Sequence, residues 1–342
     1  MEVQRNSPTV ALSTIRAHLN ALQAYLSASQ RLDELVSIER LIEQQLQSRP
    51  ADTRVPVEDV ARNLDLVAQW LNEPYLGLRL APYSSRHHPH LSFFFSRSEF
   101  PLKEYLQILQ RYISLCTEVM TLTLEETDTT LSMVFTPVEF VKVSVHQQEG
   151  FAASVADAVY RSFGLRPSHV SFCHQRGLNN DEEIAAFQRI FGVEPQFRQP
   201  TIRLTFTAQA SGKTRYVSGS NSNLQKLEAL NHKAFPNESW ADRCRFLLRL
   251  LMYCGEPQKQ TLADILSVTP RTLQRRLEEE GTSFREVLNT LRKVMADGYI
   301  REDKLSHEEI TFLLGFQDRG VFYRAFRQWF DCTPREYRDR HR

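Results

Sequence analysis

Residues 310–338 contain Ile310-Thr311-Phe312-Leu313-Leu314-Gly315-Phe316, then Phe322-Tyr323-Arg324-Ala325-Phe326-Arg327, Phe330, Thr333-Pro334 and Tyr337-Arg338. An earlier stretch follows the same plan. Leu262-Ala263 and Leu266-Ser267 correspond to Ile310-Thr311 and Leu314-Gly315 at an offset of 48, and Leu273-Gln274-Arg275-Arg276-Leu277 matches Phe322-Tyr323-Arg324-Ala325-Phe326 at an offset of 49. Each copy reads as a short helix, a tight turn and a second helix. Apolar residues four apart, Leu273 with Leu277 and Phe322 with Phe326, anchor one face of that second helix, and basic residues decorate the rest.

A first helix that buries its apolar side and a second whose outer residues stay free is the physical recipe for helix-turn-helix binding in the major groove. Small side chains at Ala263 and Thr311 permit close helix contact. Gly315 suits a left-handed turn, a position Ser267 takes less comfortably. Two amphipathic helices joined by a turn are common, but two copies with Arg275 matching Arg324 are not. Between them, Phe284, Leu288, Leu291, Met295 and Tyr299 mark one helix over 284–300, roughly 25 Å long at 1.5 Å per residue. A stiff spacer of that size suits two recognition helices in successive major grooves about 34 Å apart. Thr269-Pro270 and Thr333-Pro334 each pair a cap residue with a first-turn proline, a helix start.

Moving outward, the pattern is helical from 239 to the end, with 19 Lys/Arg against 16 Asp/Glu, a slight basic excess in a chain whose net charge is +1. Residues 211–223 are poor in apolar side chains and rich in turn formers, and a helix over 222–235 bridges onward. The organisation expected is 1–210, a linker and bridging helix over 211–238, and 239–342. In the front portion, helices fit 14–29, 32–46, 57–72 and 102–118. Segments 119–126, 130–136 and 138–146 alternate like an antiparallel meander, and helices at 150–163 and 181–191 interleave with strand-like 168–174 and 201–207. The fold class is an α+β N-terminal domain followed by an all-α domain with two helix-turn-helix motifs joined by a linker helix.

Other chemistries find little support. Five scattered cysteines form no C-x-x-C pair and suggest neither a zinc site nor a disulfide framework. No stretch approaches 18 uncharged apolar residues and no secretory leader is legible, so a cytoplasmic protein without a membrane span is expected. Gly212-Lys213-Thr214 lacks the glycine a P-loop needs at 207, His307-Glu308 is not completed to H-E-x-x-H, and His87-His88-Pro89-His90 reads as an exposed loop. No catalytic residue, cofactor or metal is called for.

Residues 241–338 closely resemble the tandem helix-turn-helix domain of the AraC/XylS transcriptional regulators, with Thr311, Ser267 and Asp331 standing where Ala, Gly and Gly are usual. The resemblance places base contacts on Arg271, Gln274 and Arg275 in the first unit and on Arg319, Tyr323 and Arg324 in the second. Arg is suited to guanine and Gln to adenine. Arg276 and Arg327 look like phosphate contacts, while the Glu278-Glu279-Glu280 run would repel phosphate and is expected to face away. Residues 15–207 resemble, more loosely, the effector domain of the subgroup that includes the ornithine-utilisation regulator. The pieces that match are Glu73-Pro74-Tyr75-Leu76-Gly77-Leu78, Tyr105–Tyr112, Pro167–Phe172 and Phe191-Gly192-Val193. This implies a homodimeric, one-component regulator that binds double-stranded promoter DNA, senses a small-molecule effector (fatty-acid-like or an amino acid) and contacts RNA polymerase.

Residues alone add a tendency. Phe94, Arg111, Tyr112, Phe135 and Phe172 are the candidate effector pocket, with Arg111, Arg198 or Arg203 able to receive a carboxylate, although core packing explains the aromatics more simply. The rival readings are a ligand-independent dimeric activator and an enzyme domain fused to a DNA-binding module.

Overall fold

The computed structural model describes residues 8–34, 38, 53–87, 100–137, 142–176, 181–207, 221–234, 236–252, 255–302 and 305–341. Phe94, the His88-Pro89-His90 run and most of the helix expected over 32–46 lie outside them. The chain divides into two compact units, Met1–Gly212 and Lys213–Arg342.

The first unit opens with β1 (Thr9–Ala11), paired antiparallel with β2 (Arg54–Pro56). Helices α1 (Leu12–Ala28) and α2 (Val57–Trp70) follow directly on these two strands. Next come α3 (Leu76–His87) and α4 (Leu102–Tyr112), the latter ending in a 3-10 turn, Ile113–Leu115. The helix expected over 102–118 stops early because its tail is tied to β1 and the first turn of α1: Ala11 N and Thr14 Oγ1 donate to Cys116 O, and Glu118 N donates to Thr9 O. The remaining elements are β3 (Met120–Glu126), β4 (Thr130–Pro137), α5 (Val145–Phe163), β5 (His169–Ser171), α6 (Asp181–Phe191) and β6 (Ile202–Thr207).

The four longer-range strands form one sheet in the order β3-β4-β6-β5, with every named pair antiparallel. Strand β4 lies inside the sheet and is buried on both faces from Leu131 to Phe135. Of the segment expected to continue the meander over 138–146, residues 138–141 lie outside the described ones and the rest forms no strand. Residues 142–144 carry no strand, and the Val141-Lys142-Val143-Ser144-Val145 alternation ends in a helix start. Ser144 Oγ accepts from His146 N while Gln147 Oε1 accepts from Ser144 N, a reciprocal cap that favours α5 over a third strand. The second neighbour of β4 is therefore β6, with Leu131 opposite Phe206 and Phe135 opposite Ile202.

Helix α3 is the element that the sequence hid. Gly77 and Pro82 both weaken a helical reading, but Gly77 is needed for packing. A Cβ there would lie 2.1 Å from His146 O on α5, and Gly150 returns the close approach.

The second unit is helical throughout its described residues: α7 (Asn221–Ala234), α8 (Trp240–Met252), α9 (Lys259–Ile265), α10 (Pro270–Glu279), α11 (Phe284–Glu302), α12 (His307–Leu313), α13 (Arg319–Phe330) and α14 (Pro334–His341). Helix α7 is integral to this unit. Leu224 and Leu227 are buried, Gln225 Nε2 donates to Asp264 O and Ser267 Oγ, and Glu228 pairs with Arg243 of α8 at 2.7 Å. No described helix is long and apolar enough to cross a membrane.

Candidate nucleic-acid interface

Both short-helix, turn, second-helix units form as the repeat implies. In the first, Thr269 caps α10 by accepting from Thr272 N at 3.1 Å, and Pro270 occupies its first turn. Leu273 and Leu277 are fully buried beneath it. In the second, Asp318 caps α13 by accepting from Val321 N at 2.8 Å, over fully buried Phe322 and Phe326. The α12 start is a reciprocal cap of Ser306 with Glu309, a signature legible in the sequence but not picked out there.

The turns are equivalent in backbone as well as in sequence. Ser267 has φ 55° and Gly315 φ 63°, so serine carries a left-handed strain that glycine does not. At Gly315 a side chain is also excluded sterically, since a Cβ would lie 2.5 Å from Gly255 O. Thr311 is 6% exposed, and its hydroxyl donates to His307 O, so the departure from alanine leaves no unsatisfied polar group. Asp331 ends α13 in the left-handed region at φ 54°.

Helix α11 spans 19 residues and does more than separate the units. Its Arg292 is 5% exposed, donates from Nε to Leu314 O at 2.9 Å and from Nη2 to Gly315 O at 2.8 Å, and lies 4.0 Å from the Phe316 ring centre. The guanidinium thus satisfies carbonyls that a helix end leaves open. Burial lowers the pKa of Arg292, with Glu256 acting in the opposite direction. Gln317 Nε2 donates to Glu256 Oε2 at 2.8 Å, so the second turn is also joined directly to the segment that precedes α9.

The expected DNA-contact residues sit on the outer faces of α10 and α13. Arg271, Arg275, Arg276, Arg319, Arg324 and Arg327 are exposed, whereas Gln274 and Tyr323 are half-buried. The side chains of Arg271, Arg324 and Arg327 make no hydrogen bond or ion pair among the described residues. Arg319 Nη2 donates to Tyr323 Oη at 2.8 Å, and Tyr323 Oη is 2.7 Å from His307 Nδ1, which orients the phenol.

The first unit is more occupied. Lys259 Nζ donates to Gln274 Oε1, Gln274 Nε2 donates to Glu278 Oε1, and Arg275 and Arg276 both reach Glu279. The acidic run therefore does not face away as a whole. Only Glu280 turns aside, accepting from Trp240 N and Ala241 N at the start of α8. Exposed pairs of this kind are worth no more than about 1 kcal/mol each, so they hold these side chains in place without locking them.

Of the five residues expected to form an effector pocket, four are described. Tyr112, Phe135 and Phe172 are fully buried core. Phe172 packs in a ring cluster with Phe187, Phe191 and Phe197, and Phe135 stands edge-on to Phe151. The Arg111 guanidinium lies 5.6 Å from the Tyr112 ring centre. Arg203 pairs with Glu125 across the sheet at 2.6 Å, and Arg198 occupies a left-handed turn at φ 59°. Phe94 lies outside the described residues.

Two matched helix-turn-helix units on one scaffold define a DNA-binding transcription regulator. The model of a helix-turn-helix domain matches residues 262–340, and that of the arabinose-binding N-terminal domain of AraC transcription regulators matches 33–212. The chain belongs to the AraC family of transcription regulators. It is 26% identical over 294 residues to the transcriptional regulator VirS of Mycobacterium tuberculosis, covering 84% of this chain and 85% of that one. It is 32% identical over 157 residues to the ornithine utilization regulator of Pseudomonas aeruginosa, 45% of this chain and 46% of the relative. A crystal structure of the transcriptional regulator CdpR from Pseudomonas aeruginosa aligns over 99% of this chain and 100% of its own, with 21% identity and a TM-score of 0.47.

Proposed function

We propose that this regulator reads promoter DNA through Arg271, Gln274 and Arg275 on α10 and through Arg319, Tyr323 and Arg324 on α13, the two helices lying in successive major grooves of one duplex. Arg276 and Arg327 contact phosphates. The observation that carries this reading is the fixed scaffold: Arg292 of α11 bonds the second turn, and exposed arginines line both second helices. The first unit senses a small molecule and supports a homodimer, and the helical unit contacts RNA polymerase. The protein acts where the DNA is, in the cytoplasm. Such control requires the effector to favour one arrangement of the protein over another, because equal affinity for both would shift nothing.

The base-reading and phosphate roles predict different signatures. Arg324→Ala should weaken binding to the cognate promoter by about 1–3 kcal/mol while leaving random DNA nearly unaffected. Unchanged affinity in a gel-shift titration of the folded variant would reject that role. Arg327→Ala should weaken specific and random DNA alike and reduce the slope of log affinity against log salt by about one charge. An unaltered slope would show that Arg327 touches no phosphate.

A further inference from the structure

The two helix-turn-helix units share a contact that their common apolar pattern does not require. Lys259 is the first residue of α9 and His307 the first of α12, and they correspond at the offset of 48 that relates the two first helices. Gln274 and Tyr323 are each the fifth residue of their second helix, and they correspond at the offset of 49. In both units the first-helix side chain grips the second-helix one. Lys259 Nζ donates to Gln274 Oε1 at 2.7 Å, and His307 Nδ1 lies 2.7 Å from Tyr323 Oη. The chemistry differs, a cation on an amide against an imidazole on a phenol, yet the positions are the same. Gln274 and Tyr323 lean on the first helix and are half-buried, while Arg271, Arg275, Arg319 and Arg324 stay exposed.

Each contact fixes which hydrogen-bonding groups are left to face a duplex. A lysine ammonium only donates and a carboxylate only accepts, so Lys259 on Oε1 and Glu278 on Nε2 hold the Gln274 amide in one sense. Turning it over would set an amino group against the ammonium and a carbonyl oxygen against the carboxylate. The amide keeps one lone pair on Oε1 and one N–H on Nε2, the pair that matches N6 and N7 of adenine. At Tyr323 the Arg319 guanidinium can only donate, and its Nη2 reaches Oη at 2.8 Å. The one proton of the phenol then needs an acceptor, and Nδ1 of His307 is placed to be it. With the proton there, what remains on Oη is a lone pair. That suits the amino groups at adenine N6 and cytosine N4 and repels guanine O6 and thymine O4.

We propose that Lys259 and His307 are specificity-determining positioning residues, which rests on the reading of Gln274 and Tyr323 as base contacts. Neither touches a base itself. Each sets the donor and acceptor pattern of the side chain opposite, so that Gln274 takes adenine and Tyr323 takes an amino-bearing base. A lysine that served only as a charge near phosphates would act on every sequence alike. A positioning lysine changes which base is preferred.

In vitro selection from a randomised duplex, run on the full chain and its variants, tests it. Gln274→Ala and Tyr323→Phe each locate one position by the preference lost there. At the Gln274 position, Lys259→Met should cut the preference for adenine about fivefold, and Lys259→Arg, which still donates, should restore it. At the Tyr323 position the parent protein should favour adenine or cytosine. His307→Leu frees the phenol proton and should shift the choice toward guanine or thymine by a similar factor, whereas His307→Gln, whose carbonyl accepts, should not. On the unmutated protein, ¹⁵N-histidine spectra should place the ring proton of His307 on Nε2, a readout independent of how any variant folds. A proton on Nδ1 would overturn the role of His307. Weaker binding with unaltered base preference in Lys259→Met or in His307→Leu would overturn the role of that residue while leaving the base contacts standing. If Gln274→Ala and Tyr323→Phe change no preference, the base-contact reading fails and the positioning roles fall with it.

Discussion

Replacing Glu228 by leucine is expected to lower the stability of the helical unit by about 3–5 kcal/mol. Glu228 is fully buried on α7, and its Oε1 accepts from Nε of Arg243, itself 1% exposed on α8. The Arg243 guanidinium also lies 4.6 Å from the Trp240 ring centre. Breaking such a pair from one side leaves a charge in a medium that solvates it poorly. Replacing both partners with apolar residues does not, so Glu228→Leu combined with Arg243→Met should recover most of the loss. Urea denaturation followed by tryptophan fluorescence, with Trp240 beside the pair, would report both variants. A single variant within about 1 kcal/mol of the parent protein would contradict the assignment, as would a double variant no better than the single one. The pair also ties α7 to α8, so the single variant should release the support that Gln225 gives the first turn through Asp264 O and Ser267 Oγ.

The second large effect is expected at Arg292. Arg292→Ala removes two charge-assisted bonds to Leu314 O and Gly315 O and the stack on Phe316. It leaves both carbonyls short of a partner at a buried turn, a loss of about 2–4 kcal/mol. Because that turn sets the angle of α13, specific DNA affinity should fall even where most of the protein remains folded. Arg292→Lys should rescue poorly, since one ammonium on a flexible stem cannot reproduce a planar fork across two carbonyls. Equilibrium denaturation and promoter affinity measured on the same preparations decide the matter. If Arg292→Lys equals the parent protein in both, the fork geometry has no role.

What the sequence disclosed follows from the range of the interactions. Thr269-Pro270, the Leu273/Leu277 and Phe322/Phe326 pairs and the Gly315 turn act over a few residues, so local spacing reveals them, and the helical unit follows. The sheet in the first unit depends on partners far apart in sequence. Nothing near residues 130–137 indicates that Ile202–Thr207 will be the neighbour, and a local alternation after Val141 suggested a strand where Ser144 and Gln147 cap a helix instead. Gly77 and Pro82 concealed α3 because both count against a helix in propensity, and the value of Gly77 lies in its contact with α5. The outer arginines of α10 and α13 were legible because solvent exposure follows from the same period that buries the leucines and phenylalanines. The engagement of Gln274 by Glu278 and of Arg275 and Arg276 by Glu279 was not, since pairing on a helix surface depends on rotamers. Buried Arg292 and the Glu228–Arg243 pair resemble surface charges in the sequence.

The claim on which the account turns is that α10 and α13 read one duplex together at a fixed spacing. In vitro selection from a randomised duplex, followed by affinity measurements on the selected site with 5 or 10 base pairs inserted at its centre, tests that claim most directly. Two conserved blocks with centres about one helical turn apart are predicted. Either insertion should abolish high-affinity binding, because a rigid pair of helices cannot follow blocks moved apart in distance or rotated to another face. A single conserved block, or full affinity after either insertion, would show that the two helices do not read the duplex as one unit.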